Sequence, residues 1–391
     1  MENLLDRFFS FANTFYSMFT VKSKVKDDRK SPQISPSVIF LSLLFLVLFK
    51  KRSFLQLDQF MRTKQAKRFI GRDNGRDNGR GKRVAVSDST IPRSLTTYHL
   101  QPLRSYLKTT YTKARHNGKC KVDVYGKKFK LACVDGSLFG KFYGCVLQLL
   151  GEANLLLDIE VTTGKGKEIP TTRALLDRAF REYGEGFVDV FLLDALYADK
   201  QTINLILSNK SHFLMKTEET TLTIIQDADS LFKCWKTHPY VKHIVGFDSN
   251  RLCEYEMWYC DSFPFPGVSK LMNVAHVKES YVKTKRQEDF WVLCTDESLT
   301  GEQLRELGHI RWRIENNGFK QLNAQTNCDH VYTHDDHSFE ALMLLIFINW
   351  NLLLLFNLED IRGGYEEVKW TLDFLSELFL VSFYTEYQVL D

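Results

Sequence analysis

Apolar positions set the texture of the chain, and up to about residue 118 that texture is helical. "NLLDRFFSFANTFYSMF" (residues 3–19) mixes apolar and polar positions as a packed helix does. "VIFLSLLFLVLF" (residues 38–49) is apolar on every side and predicts a buried helix that continues into "RSFLQLDQFM". Its 12 residues fall short of the roughly 20 that cross a bilayer. A third helical stretch is expected in "SDSTIPRSLTTYHLQPLRSYL", with Ser87 or Asp88 as its cap.

From about residue 119 short β-rich runs take over: "KKFKLACVDGS", "CVLQLLGE" and "NLLLDIEVTTG". "IPTTRALLDRAFREYG" then reads as a helix, with Pro170 near its first turn and Gly184 at its end. "FVDVFLLDALYAD" is the nearly continuous apolar run of a strand buried on both faces, and "DKQTINLILSNK" a helix. Three strands, a helix, a strand and a helix predict an α/β fold. Residues 211–296, aromatic and β-branched with frequent breaks, predict a mostly β segment. Two helical stretches follow, "DESLTGEQLRELGHIRWRIENNGFKQL" and "SFEALMLLIFINWNLLLLFNL". The second holds Asn349 and Asn351 and reads as a packed helix.

Composition sharpens this picture. A length of 391 residues predicts two or three units, and 44% hydrophobic residues build real cores, which excludes a disordered chain. The net charge of +4 is unevenly spread: residues 61–130 are rich in Lys and Arg and suit a polyanionic partner. Within them "GRDNGRDNGRGKR" (Gly71–Arg83) repeats a Gly-Arg-Asp-Asn unit and predicts a flexible basic loop, either a phosphate-contacting arm or a neutral expansion. Eight Cys without a C-x-x-C pair, several inside apolar runs, read as reduced buried thiols of a cytoplasmic protein. The N-terminus lacks the pattern of a signal peptide, and no membrane association is expected.

The candidate chemistry lies in three acids. Asp135 follows "FKLACV" and Asp194 follows "VFLL", so each stands at the carboxyl end of an apolar strand, the edge where open α/β sheets bind ligands. Alone, either serves as a cap or turn residue. Glu315 lies on a helical stretch four residues after Arg311, where a surface ion pair is the plain reading. Asn316, Asn317 and Gly318 weaken that same turn, Gly by about 1 kcal/mol relative to Ala, which points to close approach of backbone or ligand. Two Asp and a Glu together form an oxygen-donor set for hard divalent cations, and two such ions can drive phosphodiester chemistry.

"VDGS" (134–137), "LLDALYAD" (192–199) and "RWRIENNGFKQL" (311–322) resemble, in the same order, the bacterial insertion-sequence transposases with a DDE domain. The resemblance runs from about Val134 to Asn357 and is most specific in the "RW-x-IENNGF" block. It implies an RNase H-like catalytic core with a β-rich insertion and a helical N-terminal DNA-binding region. The implied layout is 1–118 for the DNA-binding region, 119–210 and 298–360 for the core, 211–297 for the insertion and 361–391 for a C-terminal helical segment. Asp135, Asp194 and Glu315 are the implied catalytic, metal-binding residues, with Mg²⁺ (Mn²⁺ as substitute), two ions, as cofactor. Arg311 is implied to hold the Glu or to contact DNA backbone, and Arg313, Lys320 and Lys216 are further expected DNA contacts. The implied partners are double-stranded DNA, as element ends and target, and a second copy of the chain in a homodimer. Water and then a DNA 3′-hydroxyl are the implied nucleophiles.

The commoner pattern of the group has Tyr seven residues before the Glu and Lys seven after, where this chain has Gly308 and Leu322. Two further features carry ligand-type or stacking side chains. Cys328, His330, His334 and His337 lie close together, but their spacing matches no common closed zinc site. Trp235, Trp258 and Trp291 fall in the insertion, as core residues or as platforms for unpaired bases. A catalytically inactive transposase-derived DNA-binding protein and a metal-dependent nuclease are the alternative functions.

Overall fold

The computed structural model describes residues 3–63, 65–66, 86–162, 164, 166–312, 314–361 and 370–385, and of residues 315–317 the backbone alone. The Gly71–Arg83 repeat lies outside the described residues. The N-terminal helices are α1 (Leu4–Tyr16), α2 (Met18–Lys24), α3 (Pro36–Leu48), α4 (Phe54–Met61), α5 (Thr90–Leu95) and α6 (Leu100–His116). Each predicted helical stretch is therefore broken in two. Ser17, with φ 56°, turns the chain out of α1. Ser53 accepts the Gln56 N–H at 3.1 Å and starts α4 afresh, so α3 does not continue through residue 61. Neither Ser87 nor Asp88 caps α5: Ser87 bonds the Thr90 hydroxyl at 2.7 Å, and Asp88 accepts the N–H of Ser89.

The α/β texture follows as β1 (Val122–Val124), β2 (Lys127–Phe129), β3 (Leu131–Phe139), β4 (Phe142–Leu150), β5 (Leu155–Thr162), α7 (Glu168–Tyr183), β6 (Val190–Asp194), α8 (Lys200–Ser208) and β7 (His212–Thr217). Then come α9 (Thr223–Lys233), β8 (Lys242–Asp248), β9 (Cys253–Phe263), β10 (Met272–Tyr281) and β11 (Gln287–Cys294). The chain ends with α10 (Gly301–Ile310), α11 (Lys320–Thr326), α12 (Asp336–Leu355) and α13 (Leu372–Thr385). Two compact units result, one of Met1–Cys120, Gly136–Glu168 and Asn316–Asp391, the other of Lys121–Asp135 and Ile169–Glu315.

The first unit is built around α12. Among the described residues, Asp336–Ile361 is the one helical stretch long and apolar enough to cross a membrane, yet its apolar window is 89% buried inside the fold. Its neighbours are α3, α6 and β5. Asn351 explains one polar residue in that apolar run: its amide accepts the Leu156 N–H at 2.9 Å and donates to the Leu156 carbonyl at 2.8 Å. Those bonds satisfy a strand residue beside the bulge where the β4–β5 register shifts. Arg104, also buried, bonds Asp158 at 3.1 Å and pairs with Glu340. Phenylalanines fill the rest, with Phe8 against Phe356 and Phe379, and Phe383 against Phe49 and Phe60.

In the second unit β3, β6 and β7 pair in parallel, with α7 and α8 as connections. β7 then pairs antiparallel with β11, and β11, β10, β9 and β8 continue the sheet. The segment from residue 211 is thus not uniformly β, because α9 interrupts it. Cross-strand register sets His243 beside Trp258, Trp258 beside His276, and His276 beside Trp291. His276 and Trp291 stack at 4.1 Å, and Phe232 of α9 stacks on Trp291 at 5.9 Å. Trp235 lies 4.1 Å from the His243 ring, so Trp235, Trp258 and Trp291 all pack on aromatic neighbours.

Candidate functional site

Two aspartates and an arginine form the candidate site. β3 and β6 pair through Cys133↔Leu192, and strand side chains alternate between faces. Two residues further on, Asp135 and Asp194 therefore emerge on the same face as that pair. The Cys133 thiol donates to the Arg311 carbonyl at 3.9 Å, so this face looks at the segment leaving α10. The Arg311 guanidinium reaches both acids, with Nη2 3.1 Å from Asp194 and 3.9 Å from Asp135. Asp194 also accepts the Ala195 N–H at 2.7 Å, which fixes its other oxygen. The Arg311 side chain is 8% exposed and that of Asp194 47%, so the site opens to solvent on the Asp194 side.

The resemblance implies that Arg311 holds the Glu or contacts DNA; in the structure its guanidinium lies against the two aspartates. Glu315 follows in a π-helical turn, Ile314–Phe319, and its side chain, like the whole of Arg313, lies outside the described residues. The one long helix expected over residues 296–322 is thus α10, this wider turn and α11. Gly318 shows why the sequence is weak there: a Cβ would stand 2.8 Å from the side-chain oxygen of buried Gln148. Close approach was the expectation, and a neighbouring side chain is what approaches.

Lys320 is exposed at the start of α11. Lys216 is placed otherwise. It is buried in β7, in register with Asp194, with its ammonium 3.8 Å from the Phe290 ring centre and 3.6 Å from Glu288. Burial lowers its pKa from the ordinary lysine value, a shift that Glu288 partly offsets. That is the setting of a core cation. The two departures from the commoner pattern are packing positions as well. At Gly308 a Cβ would lie 3.0 Å from Val292, and Leu322 is fully buried.

The cysteine–histidine stretch has other partners. Cys328 donates to Asn323 at 3.7 Å, His330 stacks edge-on with Tyr332, and His337 meets the Tyr98 carbonyl at 2.9 Å. Among the described residues, one group of three ligand-type side chains comes within metal-binding range: Glu279, Glu288 and His309. Its members lie apart in the sequence, and the local signals are that Ala275, Val277 and Glu279 share one face of β10 and Arg305 and His309 one face of α10. Glu279 accepts from Arg305 at 2.5 Å, His309 at 2.8 Å and Tyr281 at 2.7 Å. Burial alone would raise the Glu279 carboxyl, but His309, Arg305 and Tyr281 outweigh it and hold the pKa at about 2. With Arg305 fully buried beside it, this group already holds its cations.

The fold is mixed α/β with a large sheet, and its site is a pair of aspartates; Asp194 ends β6 as expected, whereas Asp135 lies in the middle of β3, which runs on through Phe139. Residues 113–352 match the family described as the transposase DDE domain, a span that includes Asp135, Asp194, Arg311 and Glu315. The chain belongs to that family and is a transposase. A solved structure described as the piggyBac transposase synaptic complex with hairpin DNA aligns over 100% of this chain and 82% of that chain, at 10% identity and a TM-score of 0.42. No curated protein matches the chain.

Proposed function

We propose that this transposase cuts and joins the ends of an insertion sequence by divalent-metal-dependent phosphoryl transfer, with Asp135, Asp194 and Glu315 as its catalytic set. The observation that carries the reading is the convergence of Asp135 and Asp194, from two neighbouring strands, on the Arg311 guanidinium. Oxygen donors of this kind fit Mg²⁺, with Mn²⁺ as substitute. Bound as two ions, the metal would activate the attacking oxygen and stabilise the leaving one.

The chain's own residues do the rest. Asp135 and Asp194 have short side chains on paired strands of one sheet, so their oxygens are held in place. Glu315 brings a longer carboxylate from the turn after Arg311. Lys320 and Arg313 contact DNA phosphates, and Lys216 adds positive potential beside Asp194. We read β3 to β5, the α7 and α8 connections and parallel β6 and β7 as an RNase H-like core, with the strands from β8 to β11 as its insertion. Water and then a DNA 3′-hydroxyl act as nucleophiles, without a covalent protein–DNA link. Two element ends must be brought together, which calls for a homodimer acting in the cytoplasm on nucleoid DNA.

A supercoiled plasmid carrying the element's ends, incubated with protein and Mg²⁺, tests this. Strand cleavage that disappears in Asp135→Ala is the expected outcome. Binding without cleavage in either Mg²⁺ or Mn²⁺ overturns it in favour of a DNA-binding descendant. Cleavage indifferent to the end sequences indicates a nuclease.

A further inference from the structure

We propose that Arg311 is a resident counter-ion of the Asp135–Asp194 pair and that a divalent cation must displace its guanidinium to load the site. The inference rests on the proposed metal-binding role of these aspartates and goes beyond it, because it gives Arg311 a role before DNA arrives.

Three observations carry it. One guanidinium nitrogen lies within ion-pair distance of both carboxylates, at 3.1 Å and 3.9 Å, so it occupies oxygens a metal would need. Arg311 itself is nearly buried, while Asp194 is about half exposed, so a cation from solvent meets the Asp194 carboxylate first. The backbone of Arg311 is held independently, since its carbonyl accepts the Cys133 thiol and its N–H is bonded to the end of α10. The side chain can therefore move while the segment stays in place.

Charge supplies the reason for movement. A guanidinium within ion-pair distance of both aspartates offsets part of the negative charge that a divalent ion would meet there. Release of the guanidinium restores both negative charges to the metal. Trp312 stands next to the path: the Arg311 guanidinium carbon lies 5.3 Å from its ring centre, and the indole is 44% exposed. A guanidinium that leaves the aspartates changes the field at that ring. Arg311 is thus a positioning residue that keeps the two acids together without metal and yields them when metal arrives.

Full-length protein without DNA, at low ionic strength, gives the test. Free Mn²⁺ is counted by its paramagnetic resonance signal for the wild type, Arg311→Met and the Asp135→Asn/Asp194→Asn double variant. Arg311→Met is expected to bind Mn²⁺ at least tenfold more tightly than wild type, and the double variant to lose binding. If Arg311→Met binds equally or more weakly while the double variant loses binding, Arg311 is a fixed part of the site and this inference falls alone. If the double variant binds as wild type does, the metal-binding reading falls as well. Should Arg311→Met fail to fold, Mg²⁺ titration of the wild type decides. Displacement predicts a saturable change in tryptophan emission that is missing in Trp312→Phe, and an unchanged emission overturns it.

Discussion

Two carboxylate clusters in the same unit settle their charge in opposite ways. Around Glu279 both oxygens are used, by Arg305 and His309 on one and Tyr281 on the other, and neighbouring Glu288 has Arg286 at 3.0 Å and Lys216 at 3.6 Å. Around Asp135 and Asp194 one guanidinium serves two acids. By distance alone the first cluster is the better metal cage. By charge balance it is the worse one, because cations from the protein already fill it. Proximity of ligand-type side chains shows where charge has gathered, and the partners show whether any remains for an ion.

The comparison breaks most sharply at Glu279. Glu279→Gln removes one of the two carboxylates paired with the buried Arg305, leaving Asp248 at 3.1 Å, and is expected to cost about 3–5 kcal/mol in urea unfolding, whereas Asp194→Asn costs under about 1 kcal/mol. Equal losses from the two would erase the distinction. Acid gives the next largest effect. Glu279 has a folded pKa near 2, so its contribution is complete above the unfolded value of roughly 4.3 and is lost as pH falls toward 2, by up to about 3 kcal/mol. Stability curves between those limits should therefore be steeper for wild type than for Glu279→Gln. The smallest effect concerns the turn that leads from Arg311 past Glu315. Gly318→Ala presses on Gln148 and should cost about 1–3 kcal/mol, most of it recovered when Gln148→Ala is combined with it. Additive costs in that double-mutant cycle would show that the glycine answers to something other than packing.

Much of this organisation was legible in the sequence because burial writes itself as pattern. Apolar runs ending in Asp picked out both aspartates, although only Asp194 ends its strand and β3 runs on past Asp135, and the all-round apolar stretches gave α3 and α12. The missed helix, α9, had a signal too: Ile224, Ile225, Ala228 and Phe232 recur at helical spacing, and its β-branched residues masked it. Breaks within the N-terminal helices were less readable, since Ser17 and Ser53 act through backbone geometry and capping that their residue type merely permits.

Partner choice was not legible at all. Arg311 and Arg305 are six residues apart on neighbouring turns, and nothing local assigns one to two aspartates and the other to Glu279. The same holds for Lys216, whose lysine chemistry suggests a phosphate contact and whose β7 position buries it over Phe290.

By itself, the sequence determined which residues carry charge, where apolar runs force burial and which family the motifs resemble, because each depends on neighbours along the chain. Only the tertiary structure decided that Arg311 reaches both Asp135 and Asp194 while Glu279 takes up Arg305, His309 and Tyr281. Charge compensation acts through space and falls with distance between side chains, and sequence separation does not measure that distance.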